Sequence, residues 1–143
     1  MSAASACKFC AIVSRAIDSA VVFEDDNSLA FLDHRPLFPG HVLLIPKQHI
    51  ETLADLPLEL IGPFFGNTQR LAIAVERGMQ AEGSFVAINN RVSQSVPHLH
   101  VHIVPRNKGD GLRGFFWPRQ KYRDVEQMRQ AQSAIIAALS EAK

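Results

Sequence analysis

The segment His98-Leu-His100-Val-His102-Ile-Val constrains this chain more than any other. Three histidines alternate with Leu99, Val101 and Ile103, which is the two-residue period of a strand. A strand of this pattern turns its aliphatic residues into a core and its three imidazoles to the opposite face, with neighbours roughly 6.5 to 7 Å apart. Burying an imidazole costs free energy unless it is hydrogen-bonded or bound to a metal. A face of three therefore points to chemistry and not to packing. Two chemistries fit. Histidine is the commonest metal ligand, and a neutral imidazole can attack phosphorus to form a covalent intermediate. Successive same-face residues on one strand diverge, so a split suits the segment better than a three-histidine metal site: one end binds metal while the middle ring reacts.

The rest of the chain supplies a scaffold for that strand. Its 143 residues suit one domain spanning 1–143. Residues 21–24 and 29–32 flank the turn-rich Asp25-Asp26-Asn27-Ser28 and read as a hairpin. Residues 41–46 and 84–89 read as strands, and 98–105 as the fifth. Residues 8–17 suit a short helix. Residues 56–82 suit a long one, with Leu60, Phe64, Leu71 and Val75 at three- and four-residue steps, Pro63 as a kink and Gly83 as its end. Residues 123–142 read as a closing amphipathic helix. Consecutive hairpins predict an α+β fold: a five-stranded antiparallel sheet with a long central helix and a C-terminal helix.

Fifteen Lys and Arg balance fourteen Asp and Glu, a net charge of +1. That is no field for nucleic acid or a membrane surface, so any phosphate-bearing ligand must be held by local groups. No membrane span is expected, and the N-terminus carries no basic cluster followed by an apolar run, so no secretory signal is expected either. The expected compartment is the cytoplasm. Cys7 and Cys10 stand at Cys-x-x-Cys spacing. Nothing before Cys7 supplies the strand that a thioredoxin-like redox pair needs; unremarkable thiols or half of a metal site remain.

The pattern His98-Leu-His100-Val-His102-Ile-Val, with Phe31-Leu-Asp33, Pro39-Gly-His41 through Pro46-Lys-Gln-His49, Asn89 and Gln94-Ser95, resembles the histidine triad family. The resemblance covers nearly the whole chain. It implies a nucleotide hydrolase or transferase acting at an α-phosphate, commonly as a homodimer. Carried over, it makes His100 the nucleophile of a covalent nucleotidyl-imidazole intermediate. His102 would contact phosphate oxygens or the bridging atom, and Ser95 the phosphate or leaving group. Gln94 and Asn89 would line the phosphate pocket. Asp33 would accept the ribose hydroxyls, where composition alone reads a turn residue, and His34 would lie near the base. One departure is the loop Asn89-Asn-Arg-Val-Ser-Gln94, shorter and poorer in glycine than in many relatives. Transferase and phosphorylase branches usually carry Gln where this chain has His102, which favours hydrolysis of a nucleoside phosphoramidate or dinucleoside polyphosphate. A nucleotide-binding regulatory protein with little turnover is the reading from another class.

Structural zinc sites close at four ligands. His49 and His98 are the natural completions of Cys7 and Cys10, as in zinc-bearing branches such as the hexose-1-phosphate uridylyltransferases. Such a zinc would be structural and would hold the strand that carries His100. The long helix spreads Phe64, Phe65, Leu71, Ile73 and Val75 over more of its circumference than one sheet face covers, which predicts a homodimer. Residues 114–119, with Trp117-Pro118 flanked by Arg113 and Arg119, are expected to shape the leaving-group side.

Overall fold

The computed structural model describes residues 6–112 and 119–141. They fall into two compact units, Met1–Asp110 and Gly111–Lys143. Of the segment expected to shape the leaving-group side, residues 114–119 with Arg113, all but the exposed Arg119 lie outside the described residues.

In the first unit the elements run α1 (Lys8–Val13), β1 (Val21–Glu24), β2 (Ser28–Leu32), β3 (Val42–Pro46), a 3₁₀ turn (Leu53–Asp55), α2 (Leu58–Gly78), β4 (Gly83–Ile88) and β5 (Val101–Arg106). The five strands form one antiparallel sheet in the order β1-β2-β3-β5-β4. The β1–β2 turn is closed by Asp25, whose Oδ1 accepts the N–H groups of Asn27 and Ser28. Its Oδ2 accepts Asn67 Nδ2 at 2.7 Å and ties the hairpin to α2.

Alternation along β2, β3 and β5 sorts the core into two layers. Ala30, Val42, Leu44, Val101 and Ile103 face α2, where they meet Phe64, Leu71 and Val75. Leu29, Phe31, Leu43 and Ile45 face the other way, toward Phe9 and Ile12 of α1. α2 runs through Pro63. In the second turn that proline removes only one helical hydrogen bond, the one the Glu59 carbonyl would accept.

Several boundaries differ from the sequence expectation: α1 stops at Val13 and not at residue 17, and the end of α2 and the start of β5 differ too. α2 ends at Gly78, before the expected Gly83. Gln80 takes φ 52° and lets the Ala81 N–H reach the Glu76 carbonyl at 2.9 Å, a Schellman closure made without glycine. Gly83 instead opens β4, opposite Arg106. β5 begins at Val101, so His98 and His100 precede the regular ladder. Pro46, at the end of β3, has no N–H to continue it. The Leu99 N–H turns to the Ile50 carbonyl at 2.6 Å, and the His98 ring, like that of His100, meets Phe9 of α1.

In the second unit α3 spans Val125–Glu141 and is capped by Asp124, whose Oδ1 accepts the Gln127 N–H. No helix among the described residues is long and apolar enough to cross a membrane.

Candidate functional site: a histidine relay beside a metal-ligand cluster

His100 and His102 stand beside each other with ring centroids 4.9 Å apart. The register Leu43↔His102 places both on the α1 side of the sheet. Fixed partners set their tautomers. A carbonyl can only accept, so His100 Nδ1, 2.7 Å from the His98 carbonyl, carries the proton, and Nε2 keeps a lone pair. His41 Nδ1 accepts the Leu37 N–H at 3.1 Å, so its own proton is on Nε2, which donates to His102 Nδ1 at 3.0 Å. His102 therefore carries its proton on Nε2. A nucleophilic nitrogen thus stands next to a hydrogen-bond donor. Burial drives both rings toward the neutral form. It lowers His100 below the usual imidazole range against the pull of the His98 carbonyl and Asp33. It takes His102 down to about 4, with His100 and His41 pushing the same way. Phe9 meets His100 edge-on at 5.1 Å and holds the ring.

The two rings open into a cleft of about 550 Å³. Phe9, Ile12, Phe31 and Leu43 form its apolar end, and Asp33, His34 and Ser95 also line it. Asp33 fills two roles. Its Oδ1 accepts the Arg35 N–H and makes the turn, while Oδ2 lies 3.8 Å from His41 Nε2. Asn89 and Gln94 do not line this cleft. Asn89 Nδ2 donates to the Ser93 carbonyl, and Gln94 spends both ends of its amide bracing the loop, to the Arg91 N–H and the Glu51 carbonyl. The relay residue His41 was missed as a site residue in the sequence. Only its parity with Leu43 and Ile45 signals it, and that becomes readable once β3 is paired with β5.

His98 belongs to a second constellation. Among the described residues Cys7, Cys10, His49 and His98 offer four ligand atoms all within 4.8 Å of one another. Cys7 Sγ and Cys10 Sγ lie 3.4 and 3.6 Å from His98 Nδ1, and Cys10 Sγ lies 3.3 Å from His49 Nδ1. Zn–S and Zn–N bonds of about 2.3 and about 2.0 Å at tetrahedral angles space sulfur and nitrogen ligands about 3.5 Å apart. The tautomer agrees too: His98 Nε2–H donates to the Pro46 carbonyl at 2.8 Å and leaves Nδ1 for a metal. His49 Nε2 is buried without a hydrogen-bond partner among the described residues; Glu51 Oε1, at 4.0 Å, is beyond hydrogen-bond reach. Without a cation the cluster is poorly solvated. Burial and the Cys7 thiol push Cys10 up to about 11, and burial takes His98 down to about 4. The donor set therefore fits a four-coordinate soft cation. A second group, Asp33, His41 and His102, has the proximity but not the chemistry. A metal on His41 Nε2 would need the proton on Nδ1, which already faces the Leu37 N–H.

Residues 14–109 match the HIT domain family. The chain is a member of the histidine triad family. It is 41% identical to Protein hit of Bacillus subtilis over 120 residues, covering 82% of each chain. It is 32% identical over 117 residues to the bis(5'-adenosyl)-triphosphatase of Dictyostelium discoideum, covering 80% of this chain and 76% of that one. A solved structure, a Zn-bound histidine triad family protein from Mycobacterium smegmatis, superposes with a TM-score of 0.71 at 37% identity, over 98% of this chain and 99% of that one. The family match begins after Cys10, so the cysteine pair of this histidine triad protein lies outside the shared core.

Proposed function

We propose that the protein is a nucleotide hydrolase acting on a nucleoside phosphoramidate or dinucleoside polyphosphate. The observation that carries this reading is the His100 Nε2 lone pair, held by the His98 carbonyl and flanked by the His102 Nε2–H at the wall of one cleft. In the first step Nε2 forms a bond to the α-phosphorus while the bond from phosphorus to the leaving oxygen or nitrogen breaks. The leaving atom departs with the bonding electron pair, its developing charge met by a hydrogen bond from the neutral His102 Nε2–H, and takes its proton from solvent water. Water then displaces the nucleotidyl group, restoring the neutral imidazole and releasing a nucleoside monophosphate. Phe9, Ile12, Phe31 and Leu43 would hold the base, Asp33 Oδ2 the ribose hydroxyls, and Ser95 a phosphate oxygen. The Dictyostelium relative, named for triphosphatase activity on a dinucleoside substrate, supports the same class. The test is a panel of adenosine 5′-phosphoramidate and diadenosine polyphosphates on purified protein. Turnover with nucleoside monophosphate as product is expected, and no turnover of any member would overturn the reading.

Cys7, Cys10, His49 and His98 are proposed to hold a structural zinc. Four protein ligands leave no open position for a catalytic water. Metal analysis of protein purified without chelator should give about one zinc per chain. Thiols that bind metal must stay reduced, which suits the cytoplasm. A homodimer is proposed from β4, an edge strand with Val86 exposed, and from the stripe Leu58, Ile61 and Phe65 left exposed on α2. A monomer mass by light scattering at micromolar concentration would refute it.

A further inference from the structure

α1 belongs to two sites at once. Cys7 caps its N-terminus, with Sγ accepting the Cys10 N–H at 3.4 Å, and both cysteines sit in the metal-ligand cluster. Interleaved with them, Lys8, Phe9 and Ile12 form a wall of the histidine cleft. Six residues of helix are well short of the roughly 12–15 that persist alone in water, so α1 stays where its contacts put it. Those contacts are the cluster on one side and Leu29, Phe31, Leu43 and Ile45 beneath it.

The two histidine ligands are connected to the cleft in the same way. The His98 carbonyl receives the His100 Nδ1–H that fixes the reacting tautomer. His49 precedes Ile50 and Glu51, whose carbonyls accept the Leu99 N–H and Gln94 Nε2. The first bond holds the segment between His98 and His100; the second braces the loop that ends at Ser95. Every ligand is thus within a few residues of a group that lines or shapes the cleft.

We infer that occupancy of the Cys7, Cys10, His49 and His98 cluster and nucleotide binding in the cleft are positively linked through α1. The linkage rests on the reading of the cleft as a nucleotide site. A cation gathers the α1 wall and the His98–His100 segment into the arrangement a nucleotide needs. A bound nucleotide, pressing on Phe9 and Ile12, holds the cysteines in place for the cation. Thermodynamics makes the two effects equal in size. The cluster then governs substrate affinity as well as the fold.

Zinc-loaded protein and metal-free protein, the latter checked for its fold by far-ultraviolet circular dichroism, are titrated calorimetrically with adenosine 5′-monophosphate. The expected result is a Kd at least about 10-fold weaker without metal, within the usual range of coupling between sites. Equal Kd values overturn the linkage and leave the nucleotide reading standing. No binding even to the zinc-loaded protein overturns both.

If the metal-free chain loses its fold, release of zinc to a chelating dye carries the test. It is measured with and without the nucleotide, in wild type and in Ile12→Ala, at the same multiple of each protein's Kd. Stabilisation of the whole fold by ligand depends only on that multiple, so it would slow release equally in both. Linkage through α1 predicts slowing of at least about 10-fold in wild type and clearly less in Ile12→Ala. Equal slowing overturns it.

Discussion

On one face of the sheet a 21-residue helix covers Ala30, Val42, Leu44, Val101 and Ile103. On the other, a six-residue helix, a row of imidazoles and a four-ligand cluster lie over Leu29, Phe31, Leu43 and Ile45. The first face gains its stability from area. Phe64, Leu71 and Val75 recur on one stripe of α2, and burying each contributes about 1.5–3 kcal/mol. The second face has little helix to spend and keeps a cleft open, so it relies on directed bonds. His100 and His102 are positioned by hydrogen bonds at 2.7 and 3.0 Å, and α1 by its cysteines. The contrast puts the cleft, and with it the proposed chemistry, on the side with the least packing.

Substitutions on the two faces should therefore separate activity from stability. His100→Asn should lower kcat on any substrate the protein turns over by ~10⁴-fold or more, because the lone pair proposed to attack phosphorus is gone. Its melting temperature should fall far less than in an α2-face truncation, since it loses one hydrogen bond and its ring contacts with Phe9 and His102 but leaves the α2 core untouched. A variant that keeps a few per cent of kcat would remove His100 from the chemistry. Phe64→Ala on the α2 face should do the reverse. Its ring is 2% exposed, and truncation should cost about 3–5 kcal/mol by urea unfolding, with kcat of the folded fraction little changed. A large loss of kcat in folded Phe64→Ala would show that the faces are not independent.

Much of this division was legible in the sequence, and the rest was hidden for physical reasons. The alternation from Leu99 to Ile103 announced both the core side and the histidine side of β5. The spacing of Phe64, Leu71 and Val75 announced α2. The four metal-ligand candidates, inferred through the resemblance to the histidine triad family, meet in space. His41 was not visible as a relay, because it lies 61 residues from His102 and only strand register joins them. That β5 begins only at Val101 was not visible, because the Leu99 N–H bonds the Ile50 carbonyl, a partner 49 residues away that no local pattern encodes. The end of α2 was missed because Gln80 performs a turn usually marked by glycine. The apolar end of the cleft was hidden because Phe9, Ile12, Phe31 and Leu43 read simply as core.

Acid should distinguish the faces by stability alone. His102 is lowered to about 4 in the fold, while an unfolded chain titrates it near 6.5. Between those values the unfolded chain binds more protons, so stability falls as pH drops through the window and is complete above about 6.5. The loss from this residue is roughly 2–3 kcal/mol, and His41, lowered in the same direction by burial, adds to it. In His102→Gln, urea unfolding at pH 7 and pH 4.5 should show a shallower dependence than wild type. Phe64→Ala should keep the wild-type slope, since α2 carries no histidine. A slope unchanged by His102→Gln would mean that this ring is not held neutral by the fold.

The smallest expected effect lies in the loop before the triad. Arg91 and Ser93 take φ of 68° and 61°, where an L side chain costs about 1–2 kcal/mol. The fold tolerates the strain because Gln94 binds the Arg91 N–H and the Glu51 carbonyl, and the Ser93 carbonyl accepts Asn89 Nδ2. Ser93→Gly removes the steric cost and keeps that carbonyl. It also enlarges the freedom of the unfolded chain, which takes back part of the gain. A net stabilisation of about 0.5 kcal/mol is expected in urea unfolding. Ser93→Val should destabilise by more than that, since a β-branched side chain is least suited to positive φ. On the α2 face a comparable gain in stability would leave catalysis alone. Here the same loop leads into Ser95, so Ser93→Gly should weaken kcat/KM by about 2- to 5-fold through KM as the loop loosens, about 0.4–1 kcal/mol. Higher stability with unchanged kcat/KM would show that the strained backbone serves the fold and not the cleft.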